Sequence, residues 1–242
     1  MKKVNFCICA MLLVGASVVA QSNVANVTQN NAVQGVFNVA NTSNITQTGK
    51  SNIGSIDVNG NGSSAYLVQT GNTNAATVAQ VGNGLSVYQT QVGLQNTASA
   101  TQNTGASSSS STQLQSGNNN LVASLQTSGT GNASSQMQVG NSNSASTTQT
   151  GGSYGTATQS QSGNFNTATS VQKGGSGNYL SQTQTGDANI ASTLQQGVGS
   201  NTGVSTQMGS LNKSTLEQNG FGNYAQLAQK GFGNLSTVIQ AQ

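Results

Sequence analysis

The chain has 242 residues, 4% of them charged and 33% hydrophobic, with a net charge of +3 and no Pro, Trp or His. Too little Leu, Ile and Phe excludes a conventional large apolar core, and so few cations exclude nucleic-acid binding by phosphate neutralisation. Disordered chains combine low hydrophobicity with high charge and Pro; this chain has the first without the others.

At the N-terminus, Lys2 and Lys3 precede a mostly apolar run from Phe6 to Ala20 that ends in small residues. Residues 1–20 read as a secretory signal peptide of the Sec type, cleaved after Ala20, and the run is short for a membrane span. Both cysteines, Cys7 and Cys9, fall inside it, too early for a lipoprotein attachment site. The exported chain then has no disulfide to rely on. It keeps Lys50, Lys173, Lys213 and Lys230 against Asp57, Asp187 and Glu217, so 4 − 3 = +1. Residues 21–40 precede the repeats and contain a partial copy of their frame at 23–29.

From residue 41 the chain follows a seven-residue frame, N-x-ψ-x-ψ-x-Q, where ψ is small or apolar. It begins at Asn41, Asn52, Ser63, Asn74, Leu85, Asn96, Ser109, Asn120 and Asn132, and again at Asn143, Gly155, Asn166, Asn178, Asn189, Asn201, Asn212, Asn223 and Asn234. Gln closes every copy but one, where Val58 stands. Alternate frames are followed by a gap with glycine two residues after the Gln: Gly49, Gly71, Gly93, Gly117, Gly140, Gly163, Gly186, Gly209 and Gly231. The intervening gaps are looser, and the run Ser107 to Ser111 lengthens one of them. Two frames and two gaps make a unit of 22 to 24 residues, nine times over.

A period of two is the strand signature. Each frame predicts a strand and each glycine gap a tight arc, because glycine supplies positive φ without a Cβ clash. The unit is strand, arc, strand, arc. Stacked units predict an all-β fold, a β-solenoid of about nine turns rising roughly 43 Å at the inter-strand spacing. No charge occupies frame position 1, 3, 5 or 7. Burying one unpaired would cost several kcal/mol, so that face is the inner one. Its middle is expected to hold Ala, Ser, Thr, Val, Leu and Ile. Its ends hold Asn143, Gln149, Asn166, Gln172, Asn189, Gln195, Asn212, Gln218, Asn223, Gln229, Asn234 and Gln240, which are expected to stack as amide ladders, since each amide carries donors and an acceptor. The remaining positions face water and are free to vary.

The segment "QNGFGNYAQLAQ" at 218–229, with "QTGDANIASTLQ", "QSGNFNTATSVQ" and "QTGNTNAATVAQ", resembles the repeat of the curlin family, Q-x-G-x-[GN]-N-x-A-x3-Q. The resemblance covers residues 41–240. It implies the subunit of an extracellular functional amyloid: secreted, assembled into cross-β fibres of a biofilm matrix and serving adhesion at a Gram-negative-type cell surface. The partners it implies are further copies of the chain, a nucleator subunit, an outer-membrane secretion pore and a periplasmic chaperone. It also implies that residues 21–40 serve secretion. The chain departs from familiar curlins in having about twice as many units. Its regular last frames favour a major, fibre-forming subunit.

Two surfaces are candidates for function. The solenoid ends expose unpaired backbone, and the last frame carries no charge; the alternative is a monomeric surface-binding solenoid shielded by residues 21–40. The second surface is a lateral-contact face of Tyr66, Tyr88, Tyr154, Tyr179 and Tyr224, all on the looser alternate strands and so on one sheet; the alternative is scattered surface tyrosine. Catalysis is not expected, because general acid–base pairs and metal clusters need converging groups and the three acids are dispersed. Neither cofactor nor metal is expected. Calcium-binding repeats would need regular Asp, and ice binding a regular outward array of Thr.

Overall fold

The computed structural model describes residues 22–30 and 40–241; the expected signal peptide lies outside them. The described residues are all-β, in two parallel sheets and one small two-stranded patch. The first sheet has ten strands: Val24–Asn30, Ile53–Asn59, Ala75–Val81, Thr97–Gln102, Leu121–Thr127, Ser144–Thr150, Thr167–Lys173, Ile190–Gln196, Lys213–Asn219 and Leu235–Ala241. The second has nine: Thr42–Lys50, Ser64–Asn72, Ser86–Leu94, Ser110–Asn118, Ala133–Asn141, Thr156–Ser162, Tyr179–Thr185, Thr202–Ser210 and Tyr224–Phe232. The chain alternates between them, so each turn adds one strand to each sheet. This is a β-solenoid of nine turns.

Register follows the frame. Ala145 pairs with Ala168 and Gln149 with Gln172, and the same correspondence holds along both sheets. It is enforced by the period of two, since a slip of one residue would turn every inner amide outward. In most of the second sheet the pairing continues past the closing Gln and through the arc glycine, as in Gly140 opposite Gly117. These arcs are therefore continuations of the ladder rather than breaks in it. Where Ser107 to Ser111 lengthen a gap, Ala106–Ser107 pairs in parallel with Gly129–Thr130 of the next turn.

The inner face is the one that charge placement indicates. Asn52, Gln69, Asn74, Gln80, Asn96 and Gln102 are buried, as are their counterparts at the internal turns. In the end strands Asn23, Gln29 and Gln240 are half-exposed and Asn234 exposed, because no further turn among the described residues covers them. Asp57, Lys50, Lys173, Asp187, Lys213 and Lys230 are exposed and Glu217 is half-exposed. The apolar part is small and lies toward the N-terminal turns, where Ile45, Ile56, Val58, Leu67, Val78, Val87 and Val122 cluster with alanines. Farther along, the interior is mostly polar, with Thr147, Ser170 and Thr193 at its centre.

The solenoid begins earlier than the frames counted from Asn41. Val24–Asn30, from the segment set before the repeats, is the first strand of the ten-stranded sheet and pairs with Ile53–Asn59.

Candidate functional site

The features from which a candidate site can be built are the amide columns and the two ends at which they stop. In the second sheet each closing Gln donates to the next: Gln47, Gln69, Gln91, Gln115, Gln138, Gln161, Gln184, Gln207 and Gln229 form one column at 2.7–3.0 Å. In the first sheet Gln80, Gln102, Gln126, Gln149, Gln172, Gln195, Gln218 and Gln240 do the same. The other Nε2 proton crosses the interior. Gln138 donates to the carbonyl of Leu121 and Gln149 to that of Ala133, each at the start of a strand in the opposite sheet. The two columns thus clamp the sheets together along both margins. A primary amide suits this role, because it donates twice and accepts at once.

The opening asparagines hold the arcs. Asn143, Asn166, Asn189 and Asn212 each donate through Nδ2 to the carbonyl of Gly163, Gly186, Gly209 and Gly231 in turn, at 2.7–2.9 Å. Each also accepts at Oδ1 from the next, as Asn143 does from the backbone N–H and Nδ2 of Asn166. Asn234 ends this column on Asn212. Asn223 lies in the other margin, where its backbone N–H donates to Asn201 Oδ1. All nine arc glycines named from the sequence have φ between 107 and 122°. A Cβ on any of the first eight would overlap the next glycine's carbonyl; on Gly231 the nearest such atom is Asn234 Nδ2 at 3.6 Å.

Three features depart from the sequence expectation. The middle of the inner face is not confined to small and apolar residues: Gln89, Gln113, Gln136, Gln159 and Gln182 form a third buried ladder at 2.6–3.0 Å. The signal was Gln at frame position 5 in five consecutive alternate frames. The water-facing positions are not all free to vary either. In the arcs Asn118, Asn141, Asn164 and Asp187 make an exposed ladder, in which each of the first three donates through Nδ2 to Oδ1 of the next. Finally, in the first eight of these nine arcs the residue before the opening Asn also has positive φ without being glycine: Ser51, Thr73, Gln95, Asn119, Ser142, Phe165, Ala188 and Leu211, at 54–58°, while Gly233 holds the ninth. Most of these are held there by a backbone bond to the previous turn, such as Thr73 N–H to Lys50 at 2.9 Å.

The ladders have polarity and therefore defined starts. Gln80 follows Val58 and Gln89 follows Leu67, and no donor among the described residues reaches Oε1 of either. At the C-terminal end Leu235–Ala241 carries the outermost inner face, with Ser236, Val238 and Gln240 half-exposed where Ser214, Leu216 and Gln218 of the preceding strand are buried. Leu235 and Ile239 are 73% and 66% exposed there.

Of the tyrosines, Tyr66 and Tyr88 are cross-strand neighbours. Tyr179 and Tyr224 both flank Thr202, several turns away. Tyr154 stands in an arc, its ring over Gly131. All five are exposed, but the fold does not unite them into one patch. Next to Tyr88 lies a shallow apolar groove lined by Val92, Leu114, Met137 and Val139. Among the described residues no group of His, Cys, Asp and Glu is placed to hold a metal, and no helix is long and apolar enough to cross a membrane. No protein-family model matches the chain, and no curated protein matches it.

Proposed function

We propose that the chain is the structural subunit of an extracellular curli-like amyloid fibre, elongating end to end for matrix formation and surface adhesion. The observation that carries this reading is the last strand: among the described residues Leu235–Ala241 presents an unpaired strand edge, uncharged and mostly apolar on its outer face, with the inner Asn and Gln at its ends that form ladders at the internal turns. Natural sheets blunt exposed edges with charge, bulges or covers, and soluble solenoids carry polar caps. A repeated head-to-tail contact without closure gives a filament. Secretion through an outer-membrane pore, a periplasmic chaperone and a nucleating partner follow from the curlin-like repeat. The tyrosine positions and the groove beside Tyr88 are candidates for lateral contacts between fibres.

A second reading, a monomeric surface adhesin, draws on the N-terminal end, where Val24–Asn30 covers the inner face of Thr42–Lys50. Thioflavin fluorescence of the chain from Gln21, which contains every described residue, separates the two after release from denaturant. A lag, seeded growth and fibre reflections near about 4.7 and 10 Å are the expected result. A stable monomer that cannot be seeded overturns the fibre reading and leaves the adhesin.

A further inference from the structure

The ten-stranded sheet has one strand more than its partner, and both solenoid ends finish in a strand of that larger sheet. Everywhere inside the molecule, one of its strands lies between successive strands of the nine-stranded sheet in chain order. If two intact copies stacked end to end, Leu235–Ala241 of one would meet Val24–Asn30 of the next. Two strands of the larger sheet would then separate Tyr224–Phe232 from the next copy's Thr42–Lys50. The smaller sheet would lack a strand at every junction, leaving two parallel edges unpaired.

Val24–Asn30 belongs to the frame "NVANVTQ" at 23–29, and Leu235–Ala241 to "NLSTVIQ" at 234–240. Both present Asn, a small residue, Val and Gln inward. In the N-terminal strand these residues already play the parts of a preceding turn: Asn23 donates to the Gly49 carbonyl and accepts from the Asn52 N–H, and Gln47 donates to the Val24 carbonyl. The strand is held more weakly than its counterparts. Above Gln29 stands Val58, so Gln29 donates to the Ser43 hydroxyl instead of joining a Gln ladder. The join from Asn30 to Thr42 spans eleven residues, where four to seven serve the equivalent joins.

We propose that Val24–Asn30 is an internal stand-in for the C-terminal strand of a second copy, and that fibre growth exchanges it for Leu235–Ala241 of the preceding subunit. This rests on the fibre reading above. In the exchanged junction Leu235–Ala241 pairs with Ile53–Asn59 of the next copy in the register Val24–Asn30 now uses, and Tyr224–Phe232 pairs with that copy's Thr42–Lys50. Both sheets then continue unbroken. Strand addition of this kind takes its affinity from main-chain bonds and its selectivity from alternate side chains, and exchange of an equivalent element is a low-cost route to association.

Cysteine pairs distinguish the junctions, since the chain from Gln21 has no cysteine of its own. Exchange places Thr237 opposite Ser55 of the next copy, whereas intact stacking places it opposite Asn26. Within one molecule, Ser55 and Asn26 both lie at the far end from Thr237. Oxidised fibres of the Ser55→Cys/Thr237→Cys chain are expected to run as covalent multimers on a non-reducing gel, and those of Asn26→Cys/Thr237→Cys as monomers. A third chain, Asn26→Cys/Ser55→Cys, ties the N-terminal strand down across paired positions, within disulfide reach; it is expected to lose seeded growth when oxidised and regain it on reduction. Cross-linking through 26 and 237, fibres that cross-link through neither pair, or undiminished growth of the tied chain overturns the exchange while leaving the fibre reading intact. If the unsubstituted chain forms no fibres at all, the fibre reading falls and the exchange with it.

Discussion

Gln149 donates through Nε2 to Oε1 of Gln172, one turn further along, at 2.8 Å, and with the same nitrogen reaches the carbonyl of Ala133 in the opposite sheet at 3.1 Å. One side chain thus ties turn to turn and sheet to sheet. In most folds those tasks fall to a hydrophobic core. Here a buried neutral amide does both without the desolvation penalty of a charge.

Replacing it tests how much of the fold rests there. Gln149→Leu keeps volume and burial but removes the donor to Gln172 and the acceptor of Gln126. The buried amide groups left behind should cost about 2–4 kcal/mol, read as a shift in denaturation midpoint. At the open end Gln240→Leu should cost under about 1 kcal/mol, because water solvates its partner. Equal losses at both sites would contradict a ladder-based account.

Val58 interrupts a column that would otherwise run from Gln29 to Gln240. Val58→Gln supplies the missing donor to Gln80 Oε1 at nearly unchanged volume. Stability should rise by about 1 kcal/mol, measured by urea denaturation of the monomer. A fall would mean that the apolar packing of Val58 with Ile45, Ile56 and Val78 outweighs the added bond.

Thr73 has a β-branched side chain at φ 58°, a conformation that ordinarily favours glycine. Its side chain is exposed, so Thr73→Gly removes strain without removing packing. The expected gain is about 0.5–1 kcal/mol after the added entropy of the unfolded chain. An unchanged midpoint would show that neighbouring turns already absorb the strain.

Arc glycines separate folding from assembly. In Gly140→Ala the new methyl overlaps the Gly163 carbonyl inside the molecule, so the monomer itself should lose several kcal/mol. Gly231→Ala meets no carbonyl in the isolated chain and carries only the backbone strain of positive φ. In the exchanged junction, where Tyr224–Phe232 pairs with Thr42–Lys50 of the next copy, Gly231 takes Gly49 as its neighbour. Gly231→Ala should therefore give a folded monomer, by circular dichroism, whose seeded elongation is largely lost. Normal elongation would place the growth contact elsewhere.

On the fibre reading, the tyrosines are candidates for bundling rather than growth. Replacing Tyr66, Tyr88, Tyr154, Tyr179 and Tyr224 by Ser should leave elongation intact and reduce lateral association of fibres in electron micrographs. Since only Tyr66 and Tyr88 adjoin, the pair alone should account for much of the change. Unchanged bundling in the five-fold variant would mark them as ordinary surface residues.

The solenoid, its nine turns and its inner face were legible in the sequence because a period of two and a period of 22 to 24 residues are local facts, and because three acids and a few lysines all avoid one parity. The arc glycines were equally legible, since their offset from Gln is constant. Which amide bonds to which was decided only by tertiary structure, because a ladder partner lies a full turn away and the crossing bond from Gln149 to Ala133 depends on how two sheets face one another. The third ladder at Gln89 to Gln182 was visible as spelling but not as structure: only burial between the sheets turns a run of Gln into a column. The same holds for Val24–Asn30. Its frame could be read as a partial repeat, but its place as the tenth strand depends on an edge at Ile53–Asn59 that exists only once the chain has folded.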